Sequence, residues 1–340
     1  MDTAPAGGSV ERRVVSRAVW RVGGLLLGAT ALYVLVGRRG ELGGGLPLGR
    51  LDWPWLGLAV AAEAGSIAAY AGVQRRLFRA GRLSLSLRSV AAIGLAGNAI
   101  QNSLPGGPAW AAMFGFGQFR RRGADPVLAA WVLVATGLVQ ATTLVGLAML
   151  GVGLAEGRAA ADNLVGVIAV VTLVAMAALV AVRVGLRTRA LPRAAVRLVG
   201  LSQRLVSRPA GDPVVLVEQA WSRLGAVRPD RADWTVAAAW AAGNWLLDCA
   251  CLAFAFLSVG AIVPWRALAL AYGAGQLAAN LPITPGGLGV VEGSLTIALV
   301  VYGGAPSAIV PAVVLYRIIS FWGLLAVGWA SWLLLRWRAR

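Results

Sequence analysis

The stretch LPITPGG at residues 281–287 joins two apolar runs that are each too short to cross a bilayer. The runs cover residues 267–281 and 288–302. A helix needs about 20 apolar residues to span the hydrocarbon core, and the prolines and glycines interrupt a helix here. The pattern predicts a re-entrant helical hairpin over residues 267–302, whose non-helical tip is tolerated only inside protein or a water-filled cavity. Two ordinary tilted spans are the alternative.

A second pair of short apolar runs occurs earlier, at residues 90–104 and 109–119, around LPGGP at residues 104–108. It predicts a matching re-entrant hairpin over residues 90–119. The two regions share short sequence similarities; for example, GNAIQN at residues 97–102 is similar to GQLAAN at 275–280. The sequence therefore predicts two repeats of one unit, each with a span, a hairpin and a long span.

The composition predicts an all-α integral membrane protein. Of its 340 residues 59% are hydrophobic and 13% are charged, whereas a soluble domain has about 25% charged residues. Six runs are long enough, or nearly so, to be full spans. They are Ala18–Gly37, Trp53–Val73, Val127–Leu154, Asn163–Val182, Trp234–Val259 and Ser307–Leu335.

The basic residues, all arginine, predict the orientation of the chain. With six spans and two re-entrant hairpins, 25 of the 31 arginines fall on the side of the N-terminus and 5 on the other side. The positive-inside rule makes the first side cytoplasmic. Under this topology the halves are inverted repeats, a common plan for transporters. Nucleic-acid binding is not expected, because the arginines flank apolar spans; anionic lipids are the expected partners.

This topology divides the chain into five parts. A basic linker separates the two membrane halves, and either an interfacial helix on anionic headgroups or a solvated segment fits its pattern. The parts are a cytoplasmic segment 1–21, membrane half 22–182, the cytoplasmic linker 183–233, membrane half 234–335 and a cytoplasmic tail 336–340.

Four ionisable residues fall within predicted membrane segments, where charge is costly and commonly functional. They are Glu63, Asp248, Glu292 and Arg317. Glu292 lies one turn after the second hairpin tip, and Arg317 lies in the last span. Glu292 and Arg317 are candidate substrate-binding residues, with a purely structural ion pair as the alternative. Glu63 and Asp248 are intramembrane polar candidates, with hydrogen bonds in packing as the alternative.

The hairpin tips are the other candidate substrate-binding groups. A helix that starts inside the membrane presents unpaired N–H groups and a positive dipole end, which suit phosphate or carboxylate. Glycines allow close approach of a ligand to the backbone. Helix breaking and capping are the alternative roles. The tip candidates are Asn102, Gly106, Gly107, Asn280, Thr284, Gly286 and Gly287.

No enzyme motif is present in the sequence, and we expect neither a cofactor nor a metal. There is no histidine, which excludes histidine bases and histidine metal ligands. No nucleophile elbow, P-loop or HExxH motif occurs. Cys249 and Cys251 lie within an apolar run, where we expect them to pack as small apolar residues.

Two motifs resemble a known family. The segments LPITPGGLGVVEGSL at residues 281–295 and VVLYRIISFWG at 313–323 resemble the lysylphosphatidylglycerol synthase transmembrane-region family, which includes the flippase half of bacterial multiple peptide resistance proteins. The first tip, SLPGGPAWAAMFGF at 103–116, resembles the stand-alone actinobacterial branch, but residues 107–118 lack the charges common in the family at this place. The resemblance implies lipid translocation without an aminoacyl transferase domain.

The predicted function is therefore translocation of a phospholipid or lipid-linked substrate between leaflets of the cell membrane. The headgroup would be held at the hairpin tips and Arg317. A secondary transporter of a small solute and a non-transporting membrane subunit of a lipid or glycan synthesis system are the alternatives. A homo-oligomer or a lipid-synthesis partner is compatible with each of these functions.

Overall fold

Every regular element is helical in the part of the chain that the computed structural model describes, residues 51–104, 106–154, 212–279, 285–301 and 305–337. Besides the α-helices there are a 3-10 turn, Pro285–Gly287, and a π-helical segment, Ile318–Gly323. The helices are α1 (Trp53–Ala80), α2 (Leu87–Ser103), α3 (Gly107–Arg120), α4 (Pro126–Leu154), α5 (Pro213–Ala226), α6 (Arg231–Ser258), α7 (Trp265–Ala279), α8 (Val290–Val301), α9 (Pro306–Arg317) and α10 (Leu324–Trp337).

Four helical stretches are long and apolar enough to cross a bilayer. They are α1, α4, α6 and the continuous stretch formed by α9, the π-helical segment and α10. Four of the six predicted spans are thereby confirmed as apolar helices; the other two, residues 18–37 and 163–182, lie outside the described residues. Large apolar side chains on these helices are exposed, as expected for surfaces that face lipid. Examples are Val134, Leu150, Leu246 and Val327.

Each of the two predicted Pro/Gly interruptions, here called breakers, separates a pair of short helices. LPGGP divides α2, with 17 residues, from α3, with 14. The second breaker divides α7, with 15 residues, from α8, with 12. Helices of these lengths extend about 18 to 26 Å, less than the hydrocarbon thickness of about 30 Å. The lengths agree with re-entrant hairpins, and their course through a bilayer stays a prediction.

Helices α1 and α6 pack side by side in opposite directions. At one end the Asp52 N–H donates to the Ser258 carbonyl at 2.9 Å, and at the other end Arg76 pairs with Asp233 at 2.8 Å. Gly72 allows the close approach, since a Cβ there would lie 2.7 Å from the Trp240 ring. Small residues at such contacts are typical of membrane helices.

The described arginines at the predicted cytoplasmic end hold neighbouring segments together. Besides the pair of Arg76 with Asp233, Arg122 donates from Nε to the Ser89 hydroxyl at 2.8 Å. Burial, and next the neighbouring charge of Arg121, lower the pKa of Arg122. The six-span topology predicts residues 74–89, 120–126 and 183–233 to be cytoplasmic, and these contacts bring the three segments to one end of the bundle. Which side of the membrane this end faces stays a prediction.

The order of helices in the two described halves agrees with the predicted repeat. Helix α1 starts at residue 53 and α6 at 231; α2 starts at 87 and α7 at 265. Both pairs are offset by the same 178 residues. The inverted relation between the halves stays a prediction. Helix α5, within the basic linker, was not predicted; the segment considered for an interfacial helix, near residues 191–205, lies outside the described residues.

Candidate functional site

The two breaker tips share a backbone conformation. Gly106 has φ 65° and ψ 24°, and Gly286 has φ 63° and ψ 15°. Both angles lie in the left-handed region, which residues with a Cβ enter at a cost of about 1–2 kcal/mol. Gly107 is needed for a different reason, because a Cβ there would lie 1.8 Å from the Gln101 carbonyl oxygen. The glycines predicted at the tips are therefore required by the turn itself.

The tips also touch each other. A Cβ on Gly286 would lie 3.3 Å from the backbone carbonyl oxygen of Asn102 and 2.4 Å from the Phe321 ring. The end of α2 is thus in contact with the turn that precedes α8. The Asn102 side chain itself donates to Asn98 at 2.9 Å. The structure brings Asn102 and Gly286 together, as the predicted common site requires, whereas Asn280 and Thr284 lie outside the described residues.

Arg317 reaches the second tip from the last span. Its Nε donates to Glu292 Oε1 at 2.7 Å, and its Nη2 donates to the Gly286 carbonyl at 3.2 Å. The guanidinium also stacks over the Phe321 ring, 4.5 Å from the centroid. No acceptor among the described residues takes a hydrogen bond from Nη1. The predicted pairing of Glu292 with Arg317 is present.

Glu292 occupies a site that is built for an anion. One of its oxygens accepts from Arg317, and the other accepts from the backbone N–H of Gly289 at 2.7 Å. Gly289 immediately precedes α8, so the carboxylate also lies at the positive end of a helix dipole. The Glu292 side chain keeps 28% of its surface exposed, against 10% for Arg317. A guanidinium and a helix N-terminus are also the groups that bind phosphate.

Glu63 of α1 and Asp248 of α6 lie together within the bundle. The Glu63 carboxyl is in hydrogen-bonding reach of the Asp248 carboxyl and lies beside the Cys251 thiol. Glu63 is only 5% exposed. Each acid was predicted separately as an intramembrane polar group, but no sequence signal paired them. The pairing results from the close packing of α1 on α6.

Asp248 is enclosed by donors from two other helices. Its Oδ2 accepts from the Tyr272 hydroxyl at 2.7 Å and from Gln276 Nε2 at 3.0 Å, both on α7. Its Oδ1 accepts from the Tyr316 hydroxyl of α9 at 3.0 Å. Sequence reasoning missed these three donors. Polar residues inside apolar runs were the available signal, and Tyr316 directly precedes Arg317.

Comparison with known protein families shows the family of the chain. The family model described as the lysylphosphatidylglycerol synthase TM region matches residues 21–328. The chain belongs to this family. The match covers the first predicted membrane half and the second as far as residue 328, including the tip motifs and Arg317, and it confirms the resemblance drawn from those motifs. No curated protein is significantly similar to the chain.

Membership in this family agrees with the apolar helical architecture of the described residues. The lysylphosphatidylglycerol synthase TM region is the membrane part of its family and is distinct from the part that carries out catalysis. The four long apolar helical stretches among the described residues agree with a multi-pass membrane protein.

Proposed function

We propose that the protein translocates a phospholipid, or another lipid-linked substrate with an anionic headgroup, between the leaflets of the cell membrane. The observation that carries this proposal is the pair of contacts to Glu292. Its carboxylate is bound by Arg317 and by the Gly289 N–H at the start of α8. A headgroup phosphate needs the same two kinds of donor.

A phosphate can compete for this site because Glu292 is not enclosed. Its side chain is 28% exposed, so it can turn away from these donors when a phosphate takes them. Arg317 keeps its place during such an exchange, since the Gly286 carbonyl and the Phe321 ring hold it independently of Glu292. Arg317 Nη1, which donates to no described residue, offers further donors to a second phosphate oxygen.

The surroundings of the tips favour a lipid over a small solute. Apolar side chains on the short helices near both tips are largely exposed, including Trp110 and Met113 of α3 and Ile297 of α8. Exposed apolar side chains in a membrane helix contact acyl chains at no cost. The headgroup would be held at Arg317 while the acyl chains remain in the bilayer beside α3 and α8.

The proposal includes the predicted topology and partners. The termini would be cytoplasmic, and the hairpins would enter the membrane from opposite sides as halves of an inverted repeat, so that the contact of Asn102 with Gly286 lies near the midplane. Rocking of the halves about this contact would alternate access to the site. Anionic lipids, a second copy of the chain or a lipid-synthesis protein are the expected partners, and the chain itself would not be an enzyme.

The test is lipid exchange in liposomes that contain the purified protein. Labelled phosphatidylglycerol, phosphatidylethanolamine and phosphatidylcholine are followed separately, and dithionite quenching of the outer leaflet reports exchange. We expect exchange of at least one phosphate-bearing lipid by the wild type. Arg317→Ala should reduce its rate at least tenfold, and Arg317→Lys should also be slow because an ammonium lacks the paired donors of guanidinium.

Arg336→Ala is the matched control. Arg336 lies at the end of the same continuous helical stretch and also stacks on an aromatic ring, that of Trp332 at 5.1 Å, but it is far along α10 from the tips. This variant should exchange lipid at the wild-type rate. Uptake of a soluble solute without lipid exchange would favour the small-solute transporter. If liposomes with the wild-type protein exchange none of the labelled lipids, the role of a non-transporting subunit would be favoured.

A further inference from the structure

The Glu63 and Asp248 carboxyls, which the proposed headgroup site does not use, cannot both be ionised in the arrangement described. They lie within hydrogen-bonding reach of each other, and two carboxylates this close share one proton. Asp248 accepts three hydrogen bonds, from Tyr272, Gln276 and Tyr316, which is the pattern of a carboxylate. The shared proton therefore belongs on Glu63.

A second observation supports a proton on Glu63. Its Oε2 is buried, and no described residue donates a hydrogen bond to it. An ionised carboxylate with a buried oxygen that receives no donor would bear a large desolvation cost. A neutral carboxylic acid that donates to Asp248 removes both the repulsion and the buried charge. The surroundings of Glu63 thus favour its protonated form.

The acid pair is connected to the headgroup site through consecutive residues. Tyr316 donates to Asp248, and the next residue, Arg317, binds Glu292. Arg317 also interacts electrostatically with Asp248. Pro311, before these residues, lacks the N–H for one hydrogen bond of α9, and the π-helical segment follows them. Such interruptions let a short segment shift without moving the whole helix.

The other groups around the pair do not supply a competing charge. Towards Glu63 and Asp248, α6 presents the Cys249 and Cys251 thiols, α7 presents Tyr272, and α9 presents Tyr316 and Arg317. Helix α4 contains no ionisable residue, and the only one in α2 is Arg88 at its start. Arg317 is consequently the one cation of the described residues that the pair can attract.

We infer that Glu63 and Asp248 form a proton-binding pair that couples lipid movement to a proton gradient, with proton and anionic headgroup moving together. The inference rests on the proposed function. With one proton the pair has one negative charge; after release it has two and attracts Arg317 more strongly. Release therefore weakens the hold of Arg317 on a headgroup, and headgroup binding strengthens proton binding by the same factor. The proton enters and leaves unchanged, so no other reactant is required.

The experiment measures labelled lipid in liposomes with a pH difference across the membrane. One pH unit corresponds to about 1.4 kcal/mol per proton, so coupling of one proton to one lipid shifts the lipid distribution between leaflets about tenfold. Labelled lipid should accumulate in the leaflet that faces the less acidic compartment. Glu63→Gln, which keeps the hydrogen bond to Asp248 but cannot release a proton, should abolish the accumulation.

Controls separate coupling from folding and from the proposed function. Glu218→Gln makes the same chemical change on the exposed face of α5 and should retain full accumulation. Should Glu63→Gln fail to fold, Asp248→Asn removes the other acid and should likewise abolish accumulation. Three results with the wild type would overturn the coupling and leave lipid translocation intact. They are lipid exchange that does not depend on the pH difference, exchange that depends on a sodium gradient instead, and accumulation in the leaflet that faces the acidic side.

Infrared spectroscopy tests the proton itself without lipid transport. The wild type at neutral pH should show a carbonyl stretching band of a protonated carboxylic acid that Glu63→Gln lacks and Glu218→Gln retains. Identical spectra for the wild type and Glu63→Gln would overturn the proton site. If no lipid is exchanged at all, the coupling fails with the proposed function, while this band still decides whether the pair binds a proton.

Discussion

Arg317 Nε donates to Glu292 Oε1 at 2.7 Å, and the two residues are 25 positions apart in the chain. The contact joins the last span to the first turn of α8, so it fixes the second tip against α9. It also places a carboxylate where the proposed headgroup phosphate would bind. One interaction thus serves both the fold and the proposed mechanism, and the two contributions can be separated.

A double variant separates the contribution of the Arg317–Glu292 contact to the fold from its contribution to the proposed mechanism. Arg317→Ala leaves Glu292 with the Gly289 N–H alone, and we expect it to lose about 1–3 kcal/mol of stability, less than for a fully buried pair because Glu292 is partly exposed. Adding Glu292→Ala removes the unpaired carboxylate and should recover much of the loss. Thermal unfolding in detergent measures both effects. A double variant that regains stability and also exchanges lipid normally would contradict headgroup binding by Arg317.

Substitution of the tip glycine Gly286 should lower the stability of the protein. Gly286→Ala places a Cβ in the left-handed region, at about 1–2 kcal/mol, and 2.4 Å from the Phe321 ring that supports Arg317. We expect lower stability and slower lipid exchange. Gly137→Ala on α4, where a Cβ meets nothing within 4 Å, is the control and should be neutral or slightly stabilising. Equal melting temperatures for the two variants would mean that the turn tolerates a side chain.

Thiol labelling of intact cells tests the orientation. Ile262 is 92% exposed in the turn between α6 and α7, and Arg228 is exposed before α6. In a background without Cys249 and Cys251, Ile262→Cys should react with an impermeant reagent added outside, because its loop has few arginines. Arg228→Cys should react only after the cells are opened. The reverse pattern would invert the predicted topology.

The sequence by itself determined the class of the protein, the spans in the described part and the breakers. Length, apolarity and the prolines and glycines act locally, since a bilayer requires backbone hydrogen bonds to be satisfied within each helix. The helix pairs around LPGGP and around residues 281–287 therefore follow from local sequence. The pair of Glu292 with Arg317 was also foreseeable, because two opposite charges within the membrane require partners.

Only the tertiary structure decided which polar groups meet. Glu63 and Asp248 have like charges when ionised, so no electrostatic rule pairs them; they meet because α1 packs closely on α6, a packing that Gly72 permits farther along α1. Tyr272 and Tyr316 join Asp248 only because α7 and α9 pack on that side of α6. Lateral packing of membrane helices depends on the fit of small residues and on buried hydrogen bonds over long sequence separations. Neither hydropathy nor charge counting contains that information.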